Sequence, residues 1–182
     1  MINQAVILCG GRGKRLGTLT DAIPKPMIEV CGRPFVYYLV TILKKVGIED
    51  IVLSVGYLKE KFDLPGVKYA DARLEVNDSV LNVPFLQDLF VLVNGDVLPL
   101  LKWEQFLDTS LPRVAVKLHP ELKDVGICIV DKLSVSKGWV NCGNIKGMIH
   151  FFDNFVASGN LHIGTQGGLA RAREFIGWWW RS

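Results

Sequence analysis

An apolar run that stops at a pair of glycines and a cluster of cations restricts this chain more than any other feature. Ala5-Val6-Ile7-Leu8-Cys9 leads into Gly10-Gly11-Arg12-Gly13-Lys14-Arg15-Leu16, and after Thr20 the segment closes on Pro24-Lys25-Pro26. The run is short and rich in β-branched residues, which reads as a buried strand feeding a tight turn. Three glycines let the backbone approach a ligand closely and turn N–H groups towards it, while Arg12, Lys14, Arg15 and Lys25 supply positive charge. The matching guest is a polyphosphate; the bland alternative is a basic surface turn.

Two widespread phosphate-binding patterns fail by position. A Walker A loop needs a glycine where Leu8 stands and a hydroxyl where Arg15 stands. The dinucleotide pattern Gly-x-Gly-x-x-Gly, counted from Gly11 and Gly13, meets Leu16 at its third glycine.

Downstream, Pro34 opens a helix to about Val46, with Phe35, Leu39, Ile42 and Leu43 on one face and Gly47 as its stop. Strands are expected at Asp50–Val55, Val67–Leu74 and Phe90–Asn94, with a helix over Ser79–Leu89. This alternation implies right-handed crossovers and an α/β fold: a Rossmann-like, doubly wound, mostly parallel sheet in three layers. Ligands of such sheets bind beyond the carboxyl ends of the strands, where Gly10 and Asp96 both fall, so the two are expected to meet. Farther on, Val114–Leu118, Val125–Val130 and Trp139–Gly143 read as strands, Asp131-Lys132 as a turn, and Met148–Val156 and Leu169–Phe175 as helices.

A length of 182 residues suits one domain with a sizeable core. The net charge is only +3, and Arg12, Lys14, Arg15, Lys25 and Arg33 concentrate it around the glycine segment, which argues against nucleic acid or a membrane as partner. No apolar run is long enough to span a bilayer and no leader precedes Ala5, so a cytoplasmic protein is expected. Cys9, Cys31, Cys128 and Cys142 stand singly and read as buried thiols. Trp178-Trp179-Trp180 cannot all face one core, which leaves open either an interface, including one within a homo-oligomer, or a partly exposed tail.

The two-part pattern Gly10-Gly11-x-Gly13-x-Arg15-Leu16, Thr20, then Pro24-Lys25-Pro26-Met27 resembles the signature of the sugar-1-phosphate nucleotidyltransferases. Gly32-Arg33-Pro34-Phe35, Lys45-Val46-Gly47-Ile48 and the stretch Ile51 to Tyr57 resemble most the branch that handles mannose-like and heptose 1-phosphates, where guanylyl transfer is favoured. The resemblance implies a GT-A-like fold, with residues 1–110 as a nucleotide-binding half and 111–182 as a sugar-phosphate-binding half. It implies transfer of a nucleotidyl group from a nucleoside triphosphate to a hexose or heptose 1-phosphate, with pyrophosphate released, in pathways such as surface polysaccharide assembly. Leu8, Gly10, Gly11, Arg12 and Gly13 are then nucleotide-binding, Arg15 and Lys25 are catalytic cations, and Asp96, in Asn94-Gly95-Asp96-Val97-Leu98, is a catalytic Mg²⁺ ligand. Gly126 and Asn141 fall at positions that resemble sugar contacts, and Asp78 either reads guanine or caps a helix.

Departures from the family pattern gather in the carboxyl-terminal half. His162-Ile163-Gly164-Thr165 stands where the resemblance leads one to expect Asp-Ile-Gly-Thr; the histidine either serves the metal or a phosphate, an imidazole suiting Mn²⁺, Zn²⁺ or Fe²⁺ better than Mg²⁺, or simply packs there. Val76-Asn77-Asp78-Ser79 replaces a base-reading Leu-Gly-Thr-Ala/Gly-Gly segment, and the sugar-binding segment is shortened around Ser134 to Gly138. Two other functions therefore stay in view: a weakened or inactive nucleotide-binding homologue, and a cytidylyltransferase for a polyol or amino-alcohol phosphate.

Overall fold

The computed structural model describes residues 2–73, 75–110, 113–117, 123–137, 153–156 and 159–179. In chain order the elements are β1 (Gln4–Leu8), the two-residue strands β2 (Glu29–Val30) and β3 (Arg33–Pro34), α1 (Phe35–Lys45), β4 (Asp50–Val55), β5 (Lys68–Asp71), α2 (Val76–Leu81), β6 (Leu89–Asn94), β7 (Val97–Leu100) and α3 (Trp103–Leu107). They continue with β8 (Arg113–Lys117), β9 (Lys123–Asp131), α4 (Lys132–Ser136), β10 (Asp153–Val156), β11 (Gly159–His162) and α5 (Gln166–Trp179).

The main sheet has the order β10-β8-β9-β6-β1-β4-β5. Parallel pairing joins β6, β1, β4 and β5, as the strand–helix alternation requires, and β9 inserts antiparallel between β6 and β8. The expected mostly parallel, three-layer α/β sheet is thus present. β1 is buried on both faces: Ala5 and Ile7 pack with Phe35, Leu39 and Leu43 of α1 and Ile176 of α5, while Val6 packs with Val52, Val80 and Leu92. Each such side chain contributes on the order of 2 kcal/mol by leaving water. Among the described residues no helix is long and apolar enough to cross a membrane.

Several elements differ from the sequence expectation. Helix α2 is the short segment Val76–Leu81 rather than Ser79–Leu89, because Pro84 can neither donate nor fit in a continuing helix and Phe85 takes a left-handed φ of 56°. Asp131 begins a helix instead of a turn, its carboxylate accepting from Ser134 N–H at 2.7 Å. Asp153–Val156 is a strand parallel to β8, not a helix, with residues 148–152 outside the described residues. The strand expected at Trp139–Gly143, the strand ends at Leu74 and Leu118, Cys142 and Trp180 also lie outside them. Cys31 is exposed, whereas Cys9 and Cys128 are buried as expected. Trp178 is 70% exposed at the end of α5.

Strand β7 was not foreseen, and it matters most. It pairs antiparallel with β11, setting His162 opposite Val97, and Ile163 N–H donates to Asp96 O at 3.0 Å. The carboxyl-terminal half is thereby sewn to the turn that carries Asp96.

Candidate active site

The carboxyl ends of β1, β4 and β6 converge. Gly95 N–H donates to Leu8 O at 2.9 Å and Cys9 N–H to Ser54 O at 2.8 Å, which brings the turns after β1 and β6 together. Leu8, Gly10, Gly11, Arg15, Lys25, Asp96 and His162 line one cavity of about 660 Å³. The meeting of Gly10 and Asp96 that the topology implied is therefore realised, and Arg15 and Lys25 share the same space.

Asp96 is the electrostatic hub. Its Oδ2 lies 2.5 Å from Lys25 Nζ and 2.6 Å from His162 Nε2, with its side chain only 11% exposed. Burial alone pushes the carboxyl upward. The hydrogen bond to His162, then the charge and hydrogen bond of Lys25, outweigh it and hold the group down at about 2. Lys25 is presented from a 3₁₀ turn, Lys25–Met27, between Pro24 and the buried Pro26, which limits its backbone freedom. A Cβ on Gly95 would come within 2.7 Å of Cys9 Sγ and 3.0 Å of Leu8 O, so only glycine lets the two turns approach this closely. Gly164 has the same meaning beside His162, since any side chain there would collide with the imidazole. Cys9 also lines the cavity, but burial above all, reinforced by Asp96 and opposed by Lys25, drives its thiol far up, which leaves it an inert filler and no nucleophile.

Of the other expected site residues, Arg12, Gly13, Gly126 and Asp78 do not line the cavity. Arg12 stacks over the Tyr57 ring at 5.4 Å and pairs loosely with Asp21 at 3.8 Å. Gly13 is left-handed at φ 70°, and a Cβ there would lie 3.0 Å from Lys25 Cβ, so it shapes the turn around Lys25. Gly126, at φ 78°, would meet Val97 Cγ2 at 2.9 Å and Asn94 Nδ2 at 3.3 Å, beside the cavity-lining Asn94. Asp78 does not cap α2: Glu75 occupies the N-cap position, and Asp78 lies within the first turn, on a separate depression with Arg73, Leu81 and Asn82. Asn141 lies outside the described residues.

The cavity also holds Ser54, Arg73, Val76, Ser79 and Asn94. Ser79 Oγ fixes the loop before α2, accepting from Arg73 N–H at 2.7 Å and lying 3.0 Å from Glu75 O. That loop carries no periodic pattern, so nothing in the sequence announced it; Ser54, the lone hydroxyl between Ile51 and Val55, was the one available signal.

Among the described residues no group of three or more His, Cys, Asp or Glu side chains is placed to hold a metal ion. Asp96 supplies one carboxylate and His162 one imidazole at its side. A hard divalent cation in a nucleotide site needs no more than one or two carboxylates when phosphate oxygens complete the shell, so this donor set fits a cation that arrives with the nucleotide. The nitrogen donor tilts it from Mg²⁺ towards Mn²⁺.

Residues 5–82, which carry the glycine turn, Arg15 and Lys25, match the MobA-like NTP transferase domain. Over that segment the chain is similar to nucleotidyltransferases. Choline-phosphate cytidylyltransferase of Streptococcus pneumoniae is 44% identical over 75 residues, 41% of this chain and 32% of that protein. D-glycero-α-D-manno-heptose 1-phosphate guanylyltransferase of Aneurinibacillus thermoaerophilus is 28% identical over 170 residues, 81% of this chain and 73% of that protein. The chain thus spans about a third of the first relative and most of the second. Its fold is that of UDP-glucose pyrophosphorylase from Acinetobacter baumanii, with a TM-score of 0.79 at 17% identity over 97% of this chain and 94% of that one. HddC from Yersinia pseudotuberculosis, solved with GMP-PN, gives a TM-score of 0.73 at 20% identity over 96% of this chain and all of that one.

Proposed function

We propose that this chain transfers a nucleotidyl group from a nucleoside triphosphate to a sugar 1-phosphate, a hexose or heptose, releasing pyrophosphate, with guanylyl transfer favoured. The observation that carries this reading is the single cavity shared by the glycine turn, Arg15, Lys25 and Asp96. In the reaction an oxygen of the sugar phosphate attacks the α-phosphorus, and the bond from that phosphorus to the bridging oxygen of pyrophosphate breaks. The attacking oxygen is already anionic, so no strong base is required; the barrier lies in bringing two polyanions together.

The chain's own residues address that barrier. Gly10 and Gly11 let the backbone approach the phosphates. Arg15 offers a planar fork to the β- and γ-phosphates, and Lys25 a compact charge to the α-phosphate and the incoming sugar phosphate. Asp96, flanked by His162, would hold a divalent cation, which when bound neutralises phosphate charge. An incoming phosphate takes over Lys25 as its partner and so frees Asp96 for this task.

Guanylyl transfer is supported by the heptose 1-phosphate guanylyltransferase relative. The test is pyrophosphate release by the purified chain across four nucleoside triphosphates and a panel of sugar 1-phosphates, with Mg²⁺ or Mn²⁺. Release with GTP and a hexose or heptose 1-phosphate supports the reading, and silence across the panel overturns it. A second reading, cytidylyl transfer to an amino-alcohol phosphate, is favoured by the 44% identity to choline-phosphate cytidylyltransferase over 75 residues. CTP with choline phosphate in the same panel separates the two.

A further inference from the structure

We propose that Ser54 is a specificity-determining residue whose hydroxyl hydrogen-bonds the base of the bound nucleotide; this rests on the nucleotidyl-transfer reading above. Ser54 is fully buried, yet its Oγ has no hydrogen-bond partner among the described residues. The fold does not need that hydroxyl. The strand's pairing is complete without it, since Ser54 O accepts from Cys9 N–H at 2.8 Å, and the neighbouring positions from Ile51 to Val55 are all buried aliphatics. A buried hydroxyl left unpaired destabilises the folded chain, whereas an alanine in its place would not. Orphans of this kind in a native fold call for an explanation, and a ligand is one.

The surroundings identify that ligand. Ser54 lines the same cavity as Gly10 and Lys25. It lies on the face of β4 that carries Val52, the α2 side of the sheet, in register with Leu8 on β1 and Ala70 on β5. Leu8, Ala72 and Val76 line the cavity as well and supply apolar walls for a planar ring, with Ser54 as a polar point among them. β1 separates β4 from β6, whose end leads into Asp96. Ser54 and the phosphate-directed residues therefore stand about two strand spacings apart, roughly 10 Å, with the Gly10-Gly11 turn between them. A nucleotide spans such a gap between its α-phosphate and its base.

The experiment is calorimetric titration of wild-type chain and Ser54→Ala with GTP, UTP, CTP and ATP, and with inorganic tripolyphosphate, which has no base. For the nucleotide that the wild type binds most tightly, Ser54→Ala is expected to lose about fivefold to tenfold in affinity, the worth of one hydrogen bond, while tripolyphosphate binds both proteins equally. Its melting temperature is expected to stay level or rise. The isosteric pair Ser54→Thr and Ser54→Val provides the same contrast if alanine unfolds the chain, with Thr retaining the preference and Val losing it. Equal nucleotide affinities in wild type and hydroxyl-free variants, or an equal loss for tripolyphosphate, would overturn the role of Ser54 while leaving nucleotidyl transfer standing. Failure of the wild type to bind any nucleotide removes both.

Discussion

The ammonium of Lys25 and the carboxylate of Asp96, 71 residues apart in the chain, meet at 2.5 Å inside the cavity lined by the glycine turn. Their side chains are only 17% and 11% exposed, so each depends on the other for compensation of its charge. Under the proposed function this pair is the resting form of the site, and phosphate oxygens and a cation would take over these two partners.

Removing the ammonium tests both roles of Lys25. Lys25→Met keeps the aliphatic stem and leaves Asp96 with His162 alone. The expected cost is about 1–3 kcal/mol in denaturant unfolding, together with a fall of at least tenfold in triphosphate affinity by calorimetry. Unchanged affinity would mean that Lys25 does not face the phosphates.

Acid titration reads Asp96. Its folded-state pKa is depressed to about 2 from an unfolded value near 3.8, so the unfolded chain takes up its proton first as pH falls. The associated stability, on the order of 2 kcal/mol, is fully present above about pH 4 and is lost as pH drops towards 2. Melting temperatures over that window are expected to fall less steeply in Asp96→Asn than in wild type; parallel curves would contradict the paired carboxylate.

Two glycines give opposite outcomes. Gly95→Ala places a methyl against Cys9 Sγ and Leu8 O, displacing Asp96, so both melting temperature and turnover should fall. A Cβ on Gly11 meets nothing within 4 Å, so Gly11→Ala should fold as stably as wild type while weakening triphosphate binding. Equal melting temperatures for the two variants would argue against the close approach of the turns.

His162 stands beside Asp96, at the position where the pattern that the sequence resembles has a second acid. Wild-type turnover is expected to be greater with Mn²⁺ than with Mg²⁺, and His162→Asp is expected to reverse that order. An unchanged metal preference in the variant would place His162 outside the cation's reach.

Much of this was legible in the sequence because it depends on local chemistry. The apolar runs of β1, β4 and β6, the Pro-flanked Lys25 and the Gly-Asp after β6 each announce themselves, and parallel topology alone brings Gly10 and Asp96 together. What was not legible depends on long-range pairing. Strand β7 is four residues long and includes Pro99, a weak strand signal by itself, and it exists because β11 pairs with it. That pairing, rather than any local propensity, delivers His162 to Asp96. Asp78 misled in the opposite way: a residue type common at N-caps sits within the first turn of α2, because the loop clamped by Ser79 starts the helix earlier, at Val76.

The most direct measurement is titration of the wild-type chain with a nucleoside triphosphate in the presence of Mn²⁺, repeated with Arg15→Ala and Lys25→Met. The account predicts saturable binding by the wild type and a loss of at least tenfold in each variant, since both cations face the phosphates of one ligand. Binding of equal strength in all three proteins would contradict it.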